Sequence, residues 1–334
     1  MFLERDVTTG VRISRAVAIA AVVGMASGCS PGAADDQSDS GPVKVAAGFY
    51  PLRFLAERIG GPDAEVTGLT PPGTEPHDLT LTGPARAAAE EAEVMIYAGE
   101  DYQPEVTDVV RQRSGDMTAL DILAVSELDL LHADKHHHGH GGDRHADEDS
   151  HDHSGDQRAV DPHVWLDPLR YQRVADAVTE TLARERPERR ASFEQRRDEL
   201  KVQLRDVHRH LRDATSDCAS RTLITNHAAF GYLADRYDLE QVPIAGLSPE
   251  HEPDPGTLAR IATEARRANV STIFAEEGIP AKLARAVADE AGAEVGVLAV
   301  IEFAPTSGDG ADGGDYVSRM HANADALQAG LDCR

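Results

Sequence analysis

The sequence predicts an α/β fold: two parallel-sheet α/β lobes joined by one long spine helix, with a ligand site in the interlobe cleft. Three observations carry that reading. Short apolar runs alternate with amphipathic helical stretches through residues 43–122, the order that builds parallel sheets. The alternation starts again at residue 221 and runs to residue 331. Between the two series lie residues 191–215, about seven helical turns of heavily charged chain. They carry one apolar stripe at helical spacing, formed by Phe193, Leu200, Leu204, Val207 and Leu211.

Taken in order, residues 43–49 read as a first strand and 52–59 as a helix stopped by Gly60 and Gly61. A second strand over 64–69 runs into the turn Pro71-Pro72-Gly73. Thr82 is an N-cap for a helix over 84–92. A third strand spans 94–98, a helix 104–112 and a fourth strand 117–122. Residues 169–215 read as helical in two pieces, broken near Pro187. The second half gives strand 221–225, helix 228–237, strand 241–245 and helix 255–269. Strand 270–275, helix 281–291, strand 294–300 and a last helix over 316–331 complete it.

Residues 132–156 interrupt the first half and cannot pack. They hold eight of the fifteen histidines (His132, His136, His137, His138, His140, His145, His151 and His153), with seven carboxylates interleaved. Ala133 and Ala146 are the only apolar side chains there, too little to offset the entropy of ordering. Neutral imidazoles among carboxylates bind divalent transition metals. In a flexible chain such sites are expected to be weak, because the chain must order itself to chelate. A purification tag would be terminal and uniform, whereas this run is internal, irregular and acidic.

Near the N-terminus, Arg12 and Arg15 precede an apolar run over 16–26. That run is too short to span a bilayer but fits a signal-peptide core of roughly 7–15 residues. It closes in Ala26-Ser27-Gly28-Cys29, similar to a bacterial lipoprotein cleavage box in which Cys29 carries the lipid. Ala26 stands where Leu is usual, so ordinary cleavage leaving a free Cys29 stays open. Residues 30–41 have the composition of a flexible tether.

The expected division is therefore a signal peptide (1–28), a tether (29–42), an N-terminal lobe (43–185) containing the His-rich loop, a linking helix (186–217) and a C-terminal lobe (218–334). About 270 residues remain for folding, enough for two cores. A formal charge of −25 with no basic cluster argues against a nucleic-acid partner and favours a cationic ligand. Cys218 and Cys333 either pair in an oxidising compartment or stay as two free thiols.

Three histidines outside the loop fall near strand ends, where open parallel sheets bind ligands. His77 lies in Pro71-Pro72-Gly73-Thr74-Glu75-Pro76-His77-Asp78, leaving the second strand. His163 lies in Asp161-Pro162-His163-Val164-Trp165-Leu166-Asp167-Pro168. His227 follows the strand 221–225 in Asn226-His227-Ala228-Ala229-Phe230-Gly231-Tyr232. Any one of them alone reads as a cap or a packed side chain; together they make a convergent cluster.

With Gly246-Leu247-Ser248-Pro249-Glu250-His251-Glu252-Pro253 and Ile273-Phe274-Ala275-Glu276, these segments are five blocks in order. They resemble the signature blocks of the cluster A-I, ZnuA/TroA-like substrate-binding proteins of ABC importers for zinc and manganese. The resemblance runs from about residue 43 to 331. It implies that His77, His163 and His227 are metal ligands and that the spine helix limits lobe motion. It implies a permease membrane subunit as partner, an extracytoplasmic place held by a lipid anchor, and action as a monomer. The acidic His-rich loop is similar to that of zinc-specific members.

A third histidine, where manganese-type relatives commonly hold a carboxylate, favours zinc as the cargo. The fourth ligand departs from the family pattern, since Ala299 stands where many relatives have Asp. Either Glu302 supplies a carboxylate from a displaced position or a water completes the site. Glu276 matches a family acidic position and reads as a cleft-wall or capping carboxylate. Asp78 and Asp167 either hold a histidine ring nitrogen or serve as turn residues, and Trp165 and Tyr232 read as cleft packing.

Three histidines and an open position also describe a catalytic zinc, with Glu276 or Glu302 as general base. No His-Glu-x-x-His pair, Gly-x-Ser-x-Gly elbow or phosphate-cradling loop occurs in the sequence, so binding without chemistry is the simpler expectation. A manganese receptor, a zinc-dependent hydrolase and a zinc buffer are the alternatives.

Overall fold

The computed structural model describes residues 41–99, 102–132, 159–247, 253–304 and 314–334, and only the backbone of Asp78. The leader, residues 29–40 of the tether with Cys29, and the loop histidines His136, His137, His138, His140, His145, His151 and His153 lie outside the described residues.

The first series runs β1 (Val43–Ala47), α1 (Tyr50–Gly60), β2 (Ala64–Gly68), α2 (Gly83–Glu91), β3 (Val94–Tyr97), α3 (Pro104–Gln112) and β4 (Thr118–Asp121). Two long helices follow, α4 (Pro168–Glu185) and α5 (Arg190–Ala214), separated by a 3-10 turn at Pro187–Arg189. The second series is β5 (Thr222–Thr225), α6 (Gly231–Arg236), β6 (Glu240–Pro243), α7 (Pro255–Arg267), β7 (Thr272–Glu276), α8 (Lys282–Ala291), β8 (Glu294–Leu298) and α9 (Tyr316–Gly330).

The helix starts are written locally. Thr82, Asp167, Asp254 and Asp315 each accept a hydrogen bond from a backbone N–H in the first turn of the helix that follows. Proline sits in the first turn of α2, α4 and α7, where its missing N–H costs nothing.

Each series makes one four-stranded parallel sheet, in the orders β2-β1-β3-β4 and β6-β5-β7-β8. The connections reverse direction between β1 and β3 and again between β5 and β7, and a crevice opens beyond the carboxyl ends at such points.

Each sheet carries a small core on one face. Met95, Leu69, Ala89 and Val106 pack beneath α2 and α3, and Ile224, Ile273, Ile261 and Val287 pack beneath α7 and α8. The remaining faces share one continuous core that runs from Val43 through Trp165 and the α5 stripe to Leu327. That stripe is Phe193, Leu200, Leu204, Val207 and Leu211, as its spacing requires, with Ala214 added. Helix α5 packs on α1 and α4 of one lobe and on α9 of the other. At 25 residues it is about 37 Å long, enough to back both sheets.

Cys218 and Cys333 are joined by a disulfide that ties the entry to the second lobe to the end of α9. No helix among the described residues is long and apolar enough to cross a membrane.

Among the element boundaries that differ from the sequence reading, two shape the cleft. Helix α6 starts at Gly231 rather than at 228. Ala228 N–H instead donates to the Gly246 carbonyl, and Thr225 Oγ1 donates to the carbonyl of His227. Strand β8 stops at Leu298 rather than at 300, because Ala299 N–H donates to Asn323 Oδ1 and the Ala299 carbonyl accepts from Asn323 Nδ2.

Candidate metal centre

His77, His163, His227 and Glu302 each present one ligand atom, and these four atoms all lie within 4.8 Å of one another. They arrive from four directions. His77 sits in a 3-10 turn beyond β2, His163 just before the turn Val164–Leu166 that leads into α4, His227 two residues past β5, and Glu302 four residues past β8. His163, His227 and Glu302 are buried and His77 nearly so. The ring centroids are 5.7 Å apart for His77 and His163, 5.4 Å for His163 and His227, and 6.5 Å for His77 and His227. Glu302 Oε1 lies 3.0 Å from His163 Nε2 and 3.7 Å from His77 Nε2.

Each ring is aimed from behind. Asp161 Oδ1 holds His163 Nδ1 at 2.7 Å and accepts the His163 backbone N–H at 2.9 Å. Glu276 Oε1 does the same for His227, with Nδ1 at 2.7 Å and the backbone N–H at 2.8 Å. A carboxylate on Nδ1 fixes the tautomer and leaves Nε2 as the free lone pair, the arrangement that orients metal-binding histidines. His77 is positioned by packing, edge-on to the Tyr102 ring at 4.4 Å. Its loop is anchored by Gln103 Nε2, which donates to the carbonyls of Gly48 and Pro76 and to Thr70 Oγ1. A Cβ on Gly48 would collide with Gln103 Oε1, so glycine is required there for the side chain to lie across β1.

The consequence is an unsatisfied interior. His77 Nε2, His163 Nε2, His227 Nε2 and Glu302 Oε2 are all buried with no hydrogen-bond partner. Orphaned buried polar atoms are costly and uncommon, and four converging in one place fit the donor set of a cation site.

The electrostatics agree. Burial draws the His77 ring below its ordinary value, against the pull of Glu302. Burial alone would do the same to His163, but the Asp161 and Glu302 carboxylates outweigh it and push that ring up to about 10. Burial opposes ionisation of Glu302, yet the imidazoles of His163 and His77 hold its carboxyl well below the usual carboxylate range. Burial and the Glu302 charge push Glu75, beside the cluster, up to about 8. The carboxylates thus favour the charged form of His163, and the imidazoles favour the charged form of Glu302.

Glu302 is turned inward by its neighbour Ile301, which adopts a left-handed backbone conformation (φ 64°). A buried β-branched residue is rarely found there, and strain of this kind concentrates at functional sites.

Ala299 carries no carboxylate, and its backbone is clamped by Asn323, so the carboxylate that meets the imidazole Nε2 atoms is that of Glu302. Asp167 does not touch a histidine: it caps α4 and pairs with Arg170 and Arg236. The Asp78 side chain lies outside the described residues. Trp165 and Tyr232 do more than pack. Trp165 Nε1 donates to the Val300 carbonyl, and Tyr232 Oη accepts from Leu131 N–H and donates to the Asp161 carbonyl. The same two chain ends pair through a His132–Val160 bridge, closing the neck of the His-rich loop.

The parts the sequence reading missed are Asp161, Glu75, Tyr102 and Gln103. Only Asp161 left a trace, two residues before His163 in the same block.

The profile of the ZnuA family, described as "Zinc-uptake complex component A periplasmic", matches residues 45–330. This chain belongs to the ZnuA family. The high-affinity zinc uptake system protein ZnuA of Bacillus subtilis is 34% identical over 301 residues, which is 90% of each chain. The zinc-binding lipoprotein AdcA of Streptococcus pneumoniae is 28% identical over 87% of this chain, which spans 56% of that longer protein.

Among solved structures, the Zn(II)-bound ZnuA-like domain of pneumococcal AdcA superposes with a TM-score of 0.69 at 27% identity, covering 87% of this chain and all of that one (100%). The metal-dependent lipoprotein YcdH of Bacillus subtilis gives 0.69 at 30% identity, covering 86% of this chain and 99% of its own. In this ZnuA-family chain the two-lobed fold and its long helix are thus shared with zinc-binding and metal-dependent relatives.

Proposed function

We infer that this protein is an extracytoplasmic zinc receptor that holds Zn2+ between its lobes and delivers it to an ABC-type permease. His77, His163 and His227 supply three nitrogens through Nε2, and Glu302 supplies the fourth ligand. One observation carries the reading: four buried, unpartnered ligand atoms converge, two of the rings being locked from behind by carboxylates. A tetrahedral zinc with bonds of about 2.0–2.1 Å separates its ligand atoms by about 3.3 Å. The 3.0 and 3.7 Å separations around Glu302 fit it with small adjustments. Three imidazoles with one carboxylate suit zinc, whereas manganese favours oxygen-rich, higher-coordinate sites.

Binding without catalysis fits the same geometry. Asp161 and Glu276 are engaged in holding rings and Glu302 faces the ligand atoms, so these three carboxylates are committed to building the site rather than to activating a water. Zinc is cargo in this reading. Cys29 carries a lipid that keeps the receptor at the membrane as a monomer, and the His-rich loop gathers zinc weakly near the cleft.

A competition titration of zinc and manganese against a chromophoric chelator tests the function. One tight zinc site, with manganese far weaker, is the expected result. A preference for manganese, or tight zinc binding that persists in His77→Ala, His163→Ala and His227→Ala, would overturn the assignment.

A further inference from the structure

Tyr102 meets the metal centre at two of its members, a ring and the carboxylate. It precedes Gln103, whose amide anchors the His77 loop. Its own ring is buried among aromatic neighbours, with centroids 4.4 Å from His77, 5.0 Å from Phe49, 6.2 Å from Trp165 and 6.4 Å from His163. That packing holds the hydroxyl in place. Its one hydrogen bond among the described residues is to Glu302 Oε1, at 3.3 Å. A phenol O–H can donate and an ionised carboxylate only accepts, so Tyr102 is the donor.

Glu302 needs such a hold. Asp161 and Glu276 aim the rings of His163 and His227 from behind, whereas Glu302 has no other hydrogen-bond donor among the described residues. Oε1 is the oxygen that approaches the rings, 3.0 Å from His163 Nε2 and 3.7 Å from His77 Nε2. Oε2 is buried with no hydrogen-bond partner. A carboxylate oxygen has two lone pairs, so Oε1 can accept from Tyr102 and still coordinate a cation.

The hold bears on which ion is accepted. A carboxylate binds metal through one oxygen or through two. Four-coordinate zinc needs a single oxygen from Glu302, because three imidazoles fill the other positions. Manganese favours oxygen-rich, higher-coordinate sites, which a two-oxygen Glu302 would approach. Bringing Oε2 to the ion as well requires the carboxylate to rotate, and rotation shifts Oε1 against a hydroxyl that the packed ring keeps still. At 3.3 Å the bond is longer than the usual O–H···O distance of about 2.7–2.8 Å, so its hold is modest. The expected effect is about tenfold, the low end for groups that support a metal ligand.

We propose that Tyr102 is a positioning residue for the fourth ligand: its hydroxyl holds Glu302 with a single oxygen toward the three imidazoles, which favours zinc over manganese. This rests on the reading of Glu302 as a zinc ligand.

Tyr102→Phe keeps the ring and removes only the hydroxyl. The full chain and this variant are titrated with zinc and with manganese, then loaded with Co2+, which absorbs visible light more strongly at four coordination than at five or six. The variant is expected to bind zinc about tenfold more weakly, to lose less manganese affinity, and to shift the Co2+ spectrum toward higher coordination. In a Glu302→Ala background Tyr102→Phe should cost zinc binding nothing further. An unchanged Co2+ spectrum, or an equal loss in the Glu302→Ala background, would overturn the positioning role while leaving Glu302 a ligand. Zinc affinity unchanged in Glu302→Ala alone would overturn the ligand reading and the proposal together. A crystal structure of the zinc-loaded wild-type chain provides a check without variants. One Glu302 oxygen on the metal with Tyr102 Oη bonded to that carboxylate supports the role, and two oxygens on the metal overturn it.

Discussion

Trp165 Nε1 donates a 2.8 Å hydrogen bond to the carbonyl of Val300, and this one contact links both sides of the cleft. Trp165 is two residues after His163, and Val300 is two residues before Glu302. The ring is fully buried, and its own carbonyl accepts from Tyr316 Oη on α9. The backbone segments carrying two cluster residues from opposite lobes are therefore held to one another before any ion arrives. Trp165→Phe should leave the Val300 carbonyl unsatisfied, costing roughly 1–3 kcal/mol of stability. It should weaken zinc binding as well. A double-mutant cycle with Glu302→Gln measures the coupling, and strictly additive effects would show that Trp165 acts on stability alone.

Removing a ring from the cluster should be far more damaging than removing a ring's support. Asp161→Asn and Glu276→Gln are each expected to lower zinc affinity about 10–100-fold, because the imidazole loses its fixed tautomer and orientation. His163→Ala and His227→Ala should exceed that range. Competition titration ranks the four, and equal losses throughout would mean that the carboxylates coordinate directly.

Zinc loading should release a proton. His163 is raised to about 10 in the metal-free cluster, so its ring is protonated at pH 7.5 and must lose that proton to coordinate. Affinity should therefore rise with pH, by about one logarithmic unit per pH unit, until the ring titrates near its folded value. Calorimetry in buffers of different ionisation enthalpy counts the proton, and an enthalpy independent of buffer would contradict the assignment.

Gly48→Ala tests the anchoring of the His77 loop. A methyl group there displaces Gln103, which otherwise donates to Gly48, Thr70 and Pro76. The expected result is a loss of zinc affinity on the order of 10-fold, comparable to losing a ring's outer support. His163 and His227 should keep their geometry in side-chain NMR spectra.

Deleting residues 133–156 should reduce zinc stoichiometry and leave one tight site. The neck is closed on the folded side by the His132–Val160 bridge and by the Tyr232 hydroxyl, neither of which needs the loop itself. Loss of the tight site on deletion would show that loop histidines help to build it.

The sequence by itself determined the periodic features. Alternating apolar runs gave the two parallel sheets, helical spacing gave the buried stripe of α5, and residue type gave three histidines near the crevice. These are local signals: a strand's period, a helix's stripe and a capping aspartate all act within a few residues.

Tertiary structure decided everything that depends on distance. That Glu302 reaches the imidazoles follows from Asn323 clamping Ala299 and from the left-handed turn at Ile301. Asp161 and Glu276 hold rings while Asp167 caps a helix and pairs with Arg170 and Arg236, although all three are acidic and near a histidine or a strand end. His210 and His321 are 111 residues apart and meet only because α5 and α9 pack side by side. A carboxylate's role is set by what lies within about 3 Å of its oxygens, and only the folded chain fixes that neighbourhood.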